Sequence, residues 1–187
     1  MAIGIKLRKK VEHDHLGVSK FFGIPTLPSG MEEKLSPEAV FIAQIKMEDI
    51  ASLDKDNVLP HTGYLYFFME TEDDTPYSNK KAVVLYSNEE PEIAINDFNE
   101  NSPIPEGLNE DYPIDFFEVD DSYSGIKLLG VPSDWNYMDE PKELLLQYDP
   151  LDTEGLEFFD YLDGYIYFFY KNKKRKFKDV IIHFEYS

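Results

Sequence analysis

The 187-residue chain contains no cysteine. That absence excludes a disulfide framework, a thiolate metal site and a cysteine nucleophile, and it suits a reducing compartment. Long apolar runs are missing too. The longest, at 64–69 and 165–170, fall far short of the roughly 20 residues that a membrane-crossing helix needs. The first ten residues are basic, end in Lys9-Lys10 and hold no apolar segment of signal-peptide length. These features predict a cytoplasmic protein with no membrane association. Positive charge is scarce: 18 Lys and Arg stand against 37 Asp and Glu, for a net charge of −19. Such a chain repels nucleic acid and anionic membranes at long range. The partner its charge would attract is a basic protein.

Several kinds of catalytic chemistry lack their signatures. The chain has no Gly-x-Ser-x-Gly nucleophile elbow, no phosphate-cradling glycine loop and no dinucleotide fingerprint. Asp54-Lys55-Asp56-Asn57 opens like a calcium loop, but Val58 and Leu59 stand where a ligand and a glycine are required. The span 152–163 fails for similar reasons.

Aromatic residues, in contrast, are abundant: 14 Phe, 13 Tyr and one Trp, too many for a disordered chain. They concentrate in a segment that occurs twice. Gly63-Tyr64-Leu65-Tyr66-Phe67-Phe68 returns as Gly164-Tyr165-Ile166-Tyr167-Phe168-Phe169. Other landmarks repeat around it in the same order. Phe21-Phe22-Gly23-Ile24-Pro25 is matched by Lys127-Leu128-Leu129-Gly130-Val131-Pro132. The run 41–45 is matched by 143–148, each with a glutamine (Gln44, Gln147), and 82–86 is matched by 179–184. The expected fold is mainly β, bordering on α+β. Antiparallel sheets are built from two internally repeated halves, with one or two short helices, in a single domain of residues 1–187. The first repeat is expected over about 18–88 and the second over about 125–187. Between them, 89–124 reads as an acidic connector broken by prolines, with short strands at 92–95 and 114–119.

Finer expectations follow from periodicity and turn chemistry. Residues 3–11 alternate like a half-buried strand and end in lysines, which suits a sheet edge. The span 21–30, with two prolines and two glycines, predicts a rigid extended segment clamped on the sheet. The run 39–45 reads as a buried strand in which Gln44 requires hydrogen-bond partners, and 48–53 as a short helix with acids in its first turn. The two aromatic segments carry large residues at consecutive positions, so both of their faces are expected to be covered, as in central strands.

The ordered set formed by Gly23, Pro25, Ala43, Gln44, Leu59, Pro60, Gly63, Leu65, Phe67, Phe68, Leu128, Leu129, Gly130, Pro132, Gln147, Asp163, Gly164, Phe168 and Phe169 resembles the YwqG-like family. That family consists of bacterial proteins whose function is undescribed. The resemblance implies a mainly β, internally duplicated, cytoplasmic protein and brings no catalytic residue with it. The chain departs from the family in being compact and in lacking the Trp-Pro that many members carry between Gly30 and Val40.

The remaining candidates are individual residues. His13 and His15 flank Asp14 and follow Glu12, a spacing able to hold a divalent transition metal, although a surface loop is the simpler reading. His61 and His183 read as structural or exposed. The run 171–178 (Lys171, Lys173, Lys174, Arg175, Lys176 and Lys178) reads as a solvated hairpin loop that neutralises the acidic connector. Trp135 is a better candidate for an exposed anchor than the repeated aromatic segments, which read as core, although a loop tryptophan that covers the core is the simpler reading. No residue is assigned a catalytic, cofactor-binding or metal-ligating role. The balance is against an enzyme and toward a non-catalytic, acidic protein-binding module, of which an immunity or inhibitor-type protein is one version. The alternative is a carboxylate- or metal-dependent hydrolase built on His13-Asp14-His15 and the surplus of acids.

Overall fold

The computed structural model describes residues 1–8, 16–37, 39–71, 80–94, 110–133, 143–149 and 165–185. Among them twelve strands form: β1 (Ala2–Leu7), β2 (Lys20–Phe21), β3 (Thr26–Leu27), β4 (Ala39–Lys46), β5 (Tyr64–Thr71), β6 (Lys80–Ser87), β7 (Ile93–Ala94), β8 (Tyr112–Val119), β9 (Lys127–Leu129), β10 (Glu143–Tyr148), β11 (Ile166–Tyr170) and β12 (Val180–Phe184). The one α-helix among the described residues, α1, is the single turn Met47–Ile50. Ten strands make one antiparallel sheet in the order β12-β11-β10-β9-β1-β8-β2-β4-β5-β6, and β3 and β7 form a separate ribbon.

That order is symmetric about its middle. Outward from the centre on one side run β1, β9, β10, β11 and β12; on the other run β8, β2, β4, β5 and β6. Each opening strand has changed sides. β1 precedes the first repeat yet lies against β9 of the second, and β8 precedes the second yet lies against β2 of the first. The registers agree with the symmetry. β1 pairs with β9 at Gly4 and Lys127, and β8 pairs with β2 at Pro113 and Lys20. Both β4–β5 and β10–β11 carry a register shift at the same place, two residues before the repeated glutamine: between Phe41 and Ala43, and between Leu144 and Leu146. Gln44 then stands opposite Tyr66 and Gln147 opposite Tyr167.

The two aromatic strands alternate faces as strands must. Leu65, Phe67 and Met69 of β5 and Ile166, Phe168 and Tyr170 of β11 point into one shared core. Phe67 and Phe168, equivalent residues of the two copies, meet there edge-to-face with ring centroids 5.3 Å apart. The other face of β5 (Tyr64, Tyr66 and Phe68) is covered by Leu27, Met31 and Phe41, and Tyr167 and Phe169 of β11 pack with Leu144. The expectation of two covered faces therefore holds. The sheet curls until its ends meet. β12 packs against β6, and Phe177 lies between Tyr86 and Tyr170 at 5.7 and 6.3 Å.

Two expectations change. β1 is not an edge strand: it is flanked by β8 and β9, and Ala2, Ile3 and Ile5 are buried. Small residues on its outer face make this possible. The ring of Phe117 crosses Gly4, where an added Cβ would stand 2.6 Å from it. The second concerns the stretch expected as connector: its two expected short strands are present as β7 and β8, but β8 runs eight residues and lies inside the large sheet between β1 and β2. Of its acidic residues, Asp115 and Glu118 are both exposed. Asp163, Gly164, Trp135 and His13-Asp14-His15 lie outside the described residues.

Candidate functional site

Each half carries the same small device. Lys20-Phe21-Phe22-Gly23-Ile24-Pro25-Thr26 in one half corresponds to Lys127-Leu128-Leu129-Gly130-Val131-Pro132-Ser133 in the other. After the short strand the backbone turns through the left-handed region, at Phe22 and Gly23 (φ 53° and 72°) and at Leu129 and Gly130 (φ 60° and 82°). The repeated glutamine staples the segment that follows. Gln44 Oε1 accepts from Thr26 N at 3.0 Å while its amide donates to Val18 O at 2.7 Å. Gln147 Oε1 accepts from Ser133 N at 2.8 Å and its amide donates to Ser124 O at 2.8 Å. The partners required of a buried glutamine are thus supplied by backbone, in duplicate.

The lysine of each device is buried, 1% exposed for Lys20 and 0% for Lys127, and here the halves diverge. Lys20 Nζ donates to Ile24 O and, at 2.8 Å, to Asp111 Oδ1. The same oxygen accepts from Ile24 N at 3.1 Å. It lies so close to Gly23 that an added Cβ would stand 1.8 Å away. In the second half the backbone carbonyl of Asp121 takes that position. It accepts from Lys127 Nζ and from Val131 N, both at 3.1 Å. Lys127 Nζ also donates to Tyr123 O and Val131 O. One lysine therefore has a contacting carboxylate and the other only carbonyls. Burial pushes the Lys20 ammonium below the ordinary lysine range against the opposing bond and charge of Asp111. Burial pushes Lys127 down to about 8, opposed only by the more distant charges of Asp121 and Asp120.

This gives a pH dependence of definite sign. Unfolded, Lys127 keeps its proton to about 10.5; folded, it releases it from about 8. Between those values the unfolded chain binds more protons, so stability contributed by this group rises with pH. The slope is half-developed at pH 8 and fades over about one pH unit below it. Tyr64, Tyr66 and Tyr170, all raised by burial, act oppositely, but only above the ordinary tyrosine value of about 10. Urea unfolding of wild type between pH 8 and 9.5 is expected to shift to higher midpoint than the same series on Lys127→Met, with parallel behaviour below pH 7. Equal slopes in both proteins would refute the assignment.

Beside the second device a cleft of about 210 Å³ opens between the halves. One wall is Asp56 and Val58, from the connection between α1 and β5. The other is Leu129, Gly130 and Val131, with Leu144 of β10 adjoining. Two ion pairs line it, Met1 amine to Asp121 and Arg175 to Glu143, each at 2.5 Å. Asp56 is exposed and has no hydrogen-bond or ion-pair partner among the described residues. Val131 is 57% exposed, an aliphatic lip on an otherwise charged opening.

A second concentration of charge surrounds Tyr64. Its hydroxyl donates to Glu90 at 2.6 Å. Burial and then the carboxylates of Glu90, Glu48 and Asp49 hold its proton on well above the usual range. Glu48 also accepts from Gly63 N, and Asp49 from Ser19 Oγ at 2.6 Å. With exposed Glu89 and Glu92, these form an acidic face at the start of β5.

The other sequence candidates take structural places. His61 Nε2 is 3.3 Å from Asp54 Oδ2. Asp54, the first residue of the calcium-like stretch, is buried and accepts from Val58 N and Leu59 N at 3.1 and 2.7 Å, so it serves a turn. His183 pairs with Tyr167 in the β11–β12 register. Among the described residues no group of three or more His, Cys, Asp or Glu is placed to hold a metal. The basic run forms the exposed turn between β11 and β12. It does not neutralise the described connector acids: Arg175 pairs with Glu143, while Asp115 pairs with Arg8, Glu118 with Lys55 and Asp111 with Lys20. No sequence signal marked Lys20, Lys127 or the cleft. The Lys-to-Gly spacing common to both copies was the available clue.

The model of a family described as a domain of unknown function, DUF1963, matches residues 19–185, and the chain belongs to that family. No curated protein matches the chain. No helix among the described residues is long and apolar enough to cross a membrane.

Proposed function

We propose that this member of a family without an assigned function is a YwqG-like, cytoplasmic bacterial protein that acts as a non-catalytic module binding a basic protein. An inhibitor or immunity-type role is one form this takes. The observation that supports the reading most is the acidic face around Tyr64. There Glu90 accepts from the hydroxyl while Glu48 and Asp49 act on it by charge alone, and none of the three has a basic partner among the ion pairs of the described residues. Carboxylates held together in this way repel one another, and a cationic partner relieves that repulsion. Complementary charge of this kind raises association rates and makes binding sensitive to salt. The net charge of −19 favours the same class of partner over nucleic acid or an anionic membrane.

The test is capture from bacterial lysate on immobilised protein at low and at high salt. A basic protein retained only at low salt, and lost when Glu48, Glu89 and Glu90 are replaced by glutamine and Asp49 by asparagine, is the expected result. Failure to recover any salt-sensitive protein would overturn the reading.

A further inference from the structure

The cleft between the halves is too small for a cofactor or metabolite. Its roughly 210 Å³ lies below the roughly 300–1,000 Å³ of sites that enclose such ligands. It has room for one long side chain. Its chemistry sets the kind of side chain. Both lining cations, the Met1 amine and Arg175, are already paired with Asp121 and Glu143. The carboxylate left over is Asp56. Val58, Leu129, Val131 and Leu144 supply aliphatic contact between these charges. A ligand that fits has an apolar stem and a positive head with several donors, so that it reaches Asp56 and the free oxygen edges of neighbouring carboxylates together. Arginine has that form, and its planar fork loses less freedom per bond than a lysine does.

We infer that the cleft is an anchor pocket for a single arginine side chain of the partner, with its stem on Val58 and Val131 and its guanidinium on Asp56. The inference rests on the proposed binding of a basic protein and adds where that protein is gripped. Interfaces commonly concentrate their binding energy in one such buried anchor, with the surrounding charge acting mainly on rate and salt dependence. The walls come from different halves, Asp56 and Val58 from the first and Leu129 and Val131 from the second. The duplicated fold therefore creates a site that neither copy contains.

The test titrates the full-length protein with N-acetyl-arginine methylamide, its citrulline counterpart and a deca-arginine peptide, followed by amide chemical shifts. The arginine derivative is expected to saturate, with shifts at 56–58 and 129–131. Asp56→Asn is expected to weaken it about tenfold, a loss of about 1.4 kcal/mol, and Val131→Lys, at an exposed lip where folding is undisturbed, to abolish it. Equal binding of the citrulline derivative, indifference to Asp56→Asn, or shifts elsewhere would overturn the pocket. If deca-arginine binds wild type and both variants equally, the pocket falls and the broader reading stands. If deca-arginine does not bind at all, the broader reading falls.

Discussion

Lys20→Met is expected to lower the unfolding free energy by about 3–5 kcal/mol, because it takes from a buried carboxylate the ammonium that faces it. Lys20 and Asp111 are 1% and 7% exposed and join at 2.8 Å. Asp111 cannot swing out to water without also releasing Ile24 N, and its oxygen fills the space that Gly23 leaves by having no side chain. The loss would be a large fraction of the 5–15 kcal/mol that a domain of this kind has in total. Adding Asp111→Asn to Lys20→Met removes the buried negative charge at nearly constant volume, so the double variant is expected to recover part of the loss. Lys127→Met at pH 7 is expected to cost less, about 1–3 kcal/mol, because it frees carbonyl groups and no carboxylate. Urea midpoints of the four proteins decide the matter. A Lys20→Met no worse than Lys127→Met would show that the Asp111 pair carries no special weight.

Phe67→Ala and Phe168→Ala are each expected to cost about 3–5 kcal/mol, the range for deleting a fully buried ring. The informative result is the pair. Both rings are 0% exposed and they touch at 5.3 Å. The first deletion therefore already removes contacts that the second would lose, and the double variant should cost clearly less than the sum. Phe68 and Phe169 provide the control. They lie one residue along, face separate clusters, and should add. Additivity at Phe67 and Phe168 would mean that the halves do not share one core.

Much of this was legible in the sequence because a strand displays its environment at a period of two, and because the same strand was written twice. The large residues at consecutive positions of 64–69 and 165–170 require cover on both faces, whatever supplies it. Gln44 required partners because it sits in an apolar run, and Gln147 is its counterpart in the second copy. β8 was legible as a short strand at 114–119, but within an acidic, proline-broken stretch that reads as a connector, and only its pairing with β1 and β2 shows that it lies inside the sheet. β1 misled for a related reason: its charged end looked like edge protection, while Ala2 and Gly4 allowed it to be enclosed.

The sequence by itself determined that the chain is a duplicated β protein, where its aromatic strands lie and that its charge is overwhelmingly negative, since those properties reside in local pattern and composition. The tertiary structure decided how the copies join: each surrenders its opening strand to the other, and their equivalent phenylalanines meet in one core. It also decided that one buried lysine has a carboxylate while its twin has only carbonyls, and that Asp56 faces Val131 across a cleft. These are pairings between residues distant in the chain, which depend on how strands are ordered across the sheet, and strand order leaves no periodic trace in a sequence.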